Sequence, residues 1–264
     1  MSSIVTSQGI VHYEAYGRGK PVILLHGWIN SWGVWQDVMI DLAENGRFKV
    51  YALDFWGFGE SAKDNTPPFK VMSYVQMVDQ FMEILGIECA PILGHSMGGT
   101  VALACALNYP QRVTKVGAVG APIAGRSLNF FLRLAAWDWV QLAQSLPAVT
   151  HLIVTTLVRI NTAGDSARVR KMLLHDVSKT SMESFFRSIG DLRRTDLSAR
   201  LGDVKAPILG VYGLNDNIVS PHQVDVLARR VLTAQTLVLE KSRHFPMLDE
   251  PEKFNATVRQ FLAD

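Results

Sequence analysis

Only two cysteines occur in the 264 residues, and neither shows the spacing of a disulfide framework or a metal site. Cys89 opens an apolar run and Cys105 lies in an alanine-rich helical pattern. With no CxxC or Cys/His spacing, both read as small buried apolar groups, and no metal or cofactor is expected. An excess of charge of one sign is also missing. Lysine and arginine number 26 against 24 acidic residues, a net charge of +2, and the basic residues are scattered or paired with acids, as in ARLGDVK. That balance excludes a nucleic-acid-binding surface as the main function. No run of about 18 uncharged apolar residues is present, so no membrane span is expected. The opening MSSIVTSQGIVHYEAYG lacks a basic stretch followed by an apolar one, so no signal peptide is expected either. Repeats and low-complexity tracts are likewise missing. What remains, at 48% hydrophobic and 19% charged residues, is the composition of a soluble globular enzyme of the reducing cytoplasm. Whether it is a monomer or a dimer is left open.

What is present is a rhythm. IVTSQGIVHYEA reads as a β-hairpin turning at Ser-Gln-Gly. After it come VILLH (22–26), FKVYALD (48–54), PILGHS (91–96), KVGAVGA (115–121), ILGVYG (208–213) and TLVLE (236–240). These later runs are continuously apolar, as expected of strands buried on both faces. Helical patterns lie between them, at 72–86, 100–110 and 222–232, which implies a mostly parallel sheet with right-handed crossovers. Residues 122–201 break the rhythm. They contain no clear strand and read as several helices, SLNFFLRLAAWDWVQLAQSL, AVTHLIVTTLVRI, SARVRKMLLHDV and SMESFFRSIGDL. The organisation is therefore an α/β core of residues 1–121 and 202–264, with residues 122–201 inserted before the last two strands as a helical lid.

One stretch carries chemistry openly. Gly-His-Ser-Met-Gly at 94–98 fits G-x-S-x-G between a strand and a helix. A serine there stands on a tight turn that only small neighbours allow, with the free N–H groups of the next helix aimed at it. Ser96 is thus a candidate nucleophile, and a serine nucleophile needs a base and an acid to orient it. Of the seven histidines, His12, His151 and His175 suit surface or packing roles. His26, before Gly27, suits hydrogen bonding within its loop, and the side chain of His95 is turned away from its neighbour Ser96. His222 follows Pro221 at a helix start. His244, in SRHFPMLDEPEKF, combines a loop position with the end of the last strand and is the candidate base. Asp216, in GLNDNIVSP after the strand ILGVYG, is the candidate acid; holding its own turn as an Asx residue is the alternative reading. The segment after the preceding strand, GAVGAPIAG, contains no competing carboxylate. An oxyanion needs preorganised donors, and position suggests the backbone N–H of Met97 and of Trp28.

Together, HGW (26–28), DFWGFGES (54–61), GHSMGG (94–99), GLNDNIV (213–219) and SRHFPMLDEPEKF (242–254) resemble the α/β-hydrolase superfamily, and within it the lid-bearing esterases, C–C hydrolases and epoxide-hydrolase-like members. The resemblance spans nearly the whole chain and is least specific across the lid. The order Ser96, Asp216, His244 is the order of that superfamily. Haloalkane dehalogenases and epoxide hydrolases carry aspartate where this chain has Ser96. Serine points to attack on acyl carbon instead, because displacement at saturated carbon would leave a stable ether. Large apolar residues in the lid, among them Phe130, Phe131, Leu134, Trp137, Trp139 and Leu142, suggest a roof for a hydrophobic substrate. Trp28, Trp32 and Met97 are expected on the opposite wall, with Phe130, Trp137 and Phe245 as further substrate contacts. The expected function is hydrolysis of small to medium hydrophobic carboxylic esters through an acyl-enzyme. Cleavage of a carbon–carbon bond in a ring-cleavage-type diketone, perhydrolysis, and a receptor-like protein with slow hydrolysis are the alternatives.

Overall fold

The computed structural model describes residues 2–63, 69–129, 156, 161–163 and 166–264. Eight strands form one sheet in the order β1-β2-β4-β3-β5-β6-β7-β8. The strands are β1 (Ser2–Thr6), β2 (Gly9–Gly17), β3 (Lys20–Leu25), β4 (Phe48–Leu53), β5 (Ala90–His95), β6 (Val113–Val119), β7 (Ile208–Gly213) and β8 (Gln235–Leu239). β2 pairs antiparallel with both β1 and β4, and the other five pairings are parallel.

The apolar strands are covered on both faces, and their side chains alternate between two cores. In β3, Ile23 and Leu25 point into one cluster while Val22 and Leu24 point into the other. The first cluster is completed by α2 (Val71–Ile84), through Tyr74, Val75, Val78 and Phe81, and by α3 (Met97–Asn108), through Val101 and Leu103. The second is completed by α1 (Gln36–Glu44), through Val38, Met39 and Leu42, and by the last helix, through Phe254, Val258 and Phe261. Helix α1 is one that the reading of runs passes over. It is short and continues directly from a 3-10 turn, Trp32–Trp35, which Ser31 caps by accepting from Gly33 N at 3.3 Å.

After β3 the chain builds β4 on one side of it, then returns to place β5 on the other. The loops after β3 and β5 therefore flank the point where the winding reverses, the usual ligand crevice of an open α/β sheet.

Between β6 and β7, the described residues form α4 (Ser166–Ser178) and α5 (Met182–Arg194). α5 starts at Ser181, whose hydroxyl accepts from Ser184 N at 3.1 Å, an N-cap. Its inner face, including Phe185, Ile189 and Leu192, is buried in the two cores. Helix α6 (Gln223–Arg230) joins β7 to β8, and α7 (Pro246–Asp249) and α8 (Pro251–Ala263) follow β8. Phe130, Trp137 and the other lid residues named from 130 to 142 lie outside the described residues.

Two expectations are corrected. β8 is not buried on both faces, because it ends the sheet and most of its residues are exposed or half-buried. Cys89 is exposed, in the connection from α2 to β5, whereas Cys105 is buried in α3; both thiols are free. Among the described residues no helix is long and apolar enough to cross a membrane.

Candidate active site

Ser96 occupies the sharp turn between β5 and α3 with φ 50° and ψ −119°. A non-glycine residue held there costs on the order of 1–3 kcal/mol, which the surroundings must offset. They do so with backbone. Ser96 N donates to Val119 O at 2.7 Å, and Gly99 N donates back to Ser96 O at 2.9 Å. The flanking glycines are required by contact. A Cβ on Gly94 would lie 2.0 Å from Gly98 O, and one on Gly98 would lie 2.4 Å from Leu25 O. The elbow is thereby pressed against β3 and the start of its loop. Met97 is the first residue of α3, so its N–H has no acceptor within the helix.

Asp216 and His244 come from the loops after β7 and β8. His244 Nδ1 donates to Asp216 Oδ2 at 2.8 Å, and both residues are buried. Because Nδ1 holds the proton, Nε2 is left as the basic nitrogen. The other oxygen of Asp216 accepts from Ile218 N at 2.7 Å and Val219 N at 2.9 Å. The Asx turn and the histidine contact are therefore not alternatives, since each carboxylate oxygen has one of the two tasks. A Cβ on Gly120, just beyond β6, would lie 3.6 Å from His244 Nδ1 and 3.7 Å from Asp216 Oδ2. A side chain from β6 would thus reach the same spot, and here β7 supplies the carboxylate.

The remaining histidines separate cleanly. His26 is fully buried; its Nε2 accepts from Phe55 N at 2.9 Å, so Nδ1 carries the proton and donates to Gly27 O at 2.6 Å. Burial lowers its pKa, outweighing the nearby Asp54, and the neutral ring fixes the loop after β3. His95 Nε2 donates to the backbone carbonyl of His244 at 2.7 Å, and its ring packs 4.8 Å from that of His244. Burial, with the adjoining His244, holds the His95 pKa well below the ordinary value. This bond from the elbow to the His244 loop has no local sequence signal, because 149 residues separate its ends. His222 is exposed and pairs with Asp225 at 3.3 Å, far from any role as base. His175 is exposed, and His151 lies outside the described residues.

His12 is not a surface residue. It is buried, with Nδ1 2.8 Å from Asp54 Oδ2. Burial pulls its pKa down, but hydrogen bonding and attraction to Asp54 prevail and the net shift is upward. Asp54 also accepts from Trp32 N at 2.7 Å and Glu60 N at 3.0 Å. One buried carboxylate thus ties together β2, the loop after β3 and the DFWGFGES loop.

Ser96 and His244 line one cavity with Trp28, Ile29, Leu128, Leu173, Ile189, Leu192, Ile218, Phe245 and two asparagines, Asn30 and Asn161. Trp28 and Phe245 are among the lining residues. Met97 and Trp32 are not among the lining residues: Met97 is fully buried in the first core and Trp32 packs against the second. Side-chain bonds join this wall to the inserted helices. Trp28 Nε1 donates to Phe185 O at 2.9 Å. Asp176 of α4 accepts from Ser31 N at 3.1 Å and Ser31 Oγ at 2.7 Å. Burial raises the Asp176 pKa to about 7 against those stabilising bonds, with the Asp54 charge adding to the rise.

The chain is similar to known proteins over nearly its whole length. The chain is 27% identical over 263 residues to a pimeloyl-[acyl-carrier protein] methyl ester esterase of Aeromonas hydrophila, an alignment covering 96% of this chain and 99% of the relative. Among solved structures, an esterase from Exiguobacterium antarcticum superposes with a TM-score of 0.87 at 21% identity, covering 100% of this chain and 99% of the other. The enol-lactonase from Burkholderia xenovorans LB400 gives 0.86 at 20% identity, covering both chains fully. The model of the alpha/beta hydrolase fold family matches residues 20–251, and with the sheet order and the serine elbow already described, the chain belongs to that family.

Proposed function

We propose that the protein hydrolyses carboxylic esters of small to medium hydrophobic substrates through an acyl-enzyme on Ser96. The observation that carries this reading is the His244–Asp216 hydrogen bond of 2.8 Å beside an apolar cavity that Ser96 also lines. It leaves Nε2 of His244 free to take the hydroxyl proton of Ser96 as that oxygen attacks the ester carbonyl. The backbone N–H groups of Met97 and Trp28 receive the oxyanion. His244 then protonates the leaving alcohol, and water repeats the sequence on the acyl-enzyme. Asp216 keeps the imidazole in the tautomer that makes Nε2 the base and stabilises the ring when it is charged. In this reading the inserted residues 122–201 serve as the lid, and its described helices α4 and α5 are tied to the core through Ser31 and Trp28. An ester as substrate also agrees with the names of the Aeromonas and Exiguobacterium relatives.

Hydrolysis of p-nitrophenyl esters of rising chain length by wild type and Ser96→Ala tests the reading. Short and medium acyl chains should be turned over, and the variant should lose roughly four to six orders of magnitude in kcat. Equal rates in the two proteins would remove Ser96 from the chemistry.

A further inference from the structure

Asn30 is out of keeping with its surroundings. Among the described residues the cavity wall is apolar except for the reacting pair and two carboxamides, Asn30 and Asn161, the Trp28 indole N–H being taken up by Phe185 O. The polar side chains on either side of Asn30 in its loop are satisfied. His26 bonds Phe55 N and Gly27 O, and Ser31 bonds Asp176 and Gly33 N. Asn30 is only 2% exposed, and its Oδ1 is enclosed with no hydrogen-bond partner. A buried carboxamide oxygen left without a donor is destabilising, and a leucine or valine would cover the same wall without that cost.

Its position is close to the reacting centre. Asn30 N donates to Gly27 O at 3.3 Å, closing the turn that contains Trp28. A Cβ placed on Gly27 would lie 3.1 Å from Asn30 Nδ2, so the carboxamide sits against the backbone of the loop assigned to the oxyanion. Rotation about Cβ–Cγ is soft and exchanges the two ends of the amide, so either an N–H or a carbonyl oxygen can turn to the cavity.

We propose that Asn30 is a specificity-determining residue whose carboxamide hydrogen-bonds a second, uncharged polar group of the substrate, a few bonds from the ester carbonyl. The favoured substrate is then an ester that is largely hydrocarbon but carries a hydroxyl or amide oxygen near the scissile bond. A charged group does not fit, because no Lys, Arg, Asp or Glu lines the cavity among the described residues and an unpaired charge there would be strongly disfavoured. This inference rests on the ester-hydrolase reading and narrows it.

The test is a ratio of kcat/KM for matched substrates. The p-nitrophenyl esters of β-hydroxybutyrate and β-acetamidopropionate are each compared with their hydrocarbon isosteres, after division by the rates of hydroxide hydrolysis. Wild type should favour at least one polar ester by about tenfold or more, because its hydrocarbon isostere leaves the buried amide unpaired. In Asn30→Ala and Asn30→Leu that preference should fall to near unity. Each ratio compares two substrates on one protein, so a reduced folded fraction cancels. No preference for either polar ester in wild type overturns the proposal, as does a preference that survives both substitutions. A fall of equal size for polar and hydrocarbon esters also overturns it, and assigns Asn30 to supporting the loop after β3 instead. Loss of all hydrolysis in wild type is a different result, which removes the ester-hydrolase reading itself.

Discussion

Ser96 and the helices α4 and α5 face the same cavity but are held by different kinds of bond. The elbow is fixed by backbone: its amide and carbonyl are paired, and its glycines touch main-chain atoms of α3 and β3. The inserted helices reach the core in part through single side chains. Trp28 reaches the Phe185 carbonyl, Asp176 reaches Ser31, and Asp191 accepts from Val71 N at 2.9 Å. Backbone contacts recur whatever side chains surround them, whereas each side-chain bond depends on one residue. The elbow should therefore respond to substitution by losing the chemistry outright. The inserted helices should respond by small changes in stability, selectivity and pH dependence.

After Ser96 itself, the largest effect expected on the core side is at Asp216. In Asp216→Asn the retained oxygen can still accept from Ile218 N and Val219 N, so thermal unfolding should stay close to wild type. The amide then points a donor at the protonated Nδ1 of His244, which favours the wrong tautomer. We expect kcat to fall by roughly three to four orders of magnitude. A fall of less than tenfold would show that His244 needs no carboxylate to orient it, and the contrast between core and cap would lose its sharpest member.

A smaller effect belongs to His95. His95→Phe keeps an aromatic ring beside His244 and Phe245, whose rings lie 4.8 and 4.9 Å away, but removes the donor to the His244 carbonyl. Loss of one buried hydrogen bond corresponds to about ten- to a hundredfold if it acts wholly on the placement of the base. The fall should appear in kcat rather than KM. An unchanged kcat would mean that the Asp216 contact alone places His244.

The same division decides what the sequence reveals. Ser96, Asp216 and His244 are legible because each follows a strand and each turn has local chemistry: glycines around Ser96, asparagines beside Asp216. The parallel sheet is legible because burial on both faces demands unbroken apolar runs. β8 departs from its own pattern because it lies at the sheet edge, and edge position is a property of the assembled fold. The block DFWGFGES is recognisable, yet the task of Asp54 within it is not. Its partners are His12, Trp32 and Glu60, brought together only by the sheet and its loops. Met97 and Trp32 were expected on the cavity wall from their proximity to the serine and the oxyanion loop. Helix geometry instead sends Met97 into the core, and the 3-10 turn directs Trp32 away from the cavity.

The smallest effect, and the one most specific to the cap side, concerns Asp176. Its pKa in the folded protein is about 7, above the ordinary carboxyl value near 3.9. The folded state therefore holds this proton more tightly than the unfolded chain does. The contribution to stability is fully present below the ordinary carboxyl value and is lost as pH rises from there to about 7. Above that pH a buried charge faces Asp54 across the Ser31–Trp32 loop. Asp176→Asn has no proton to lose. Its oxygen can keep the bond from Ser31 N, while the contact with Ser31 Oγ must reverse, the amide nitrogen donating where the carboxylate accepted. At pH 5 the variant should be no more stable than wild type, whereas at pH 8 the gap should close or reverse. For a chain of this size each kcal/mol recovered raises Tm by roughly 2–4 °C. Melting curves of the two proteins across that range check this, and parallel curves would show that Asp176 does not titrate there. Activity of Asp176→Asn should stay within about threefold of wild type, because the bond holds α4 to the loop and takes no part in moving the Ser96 proton.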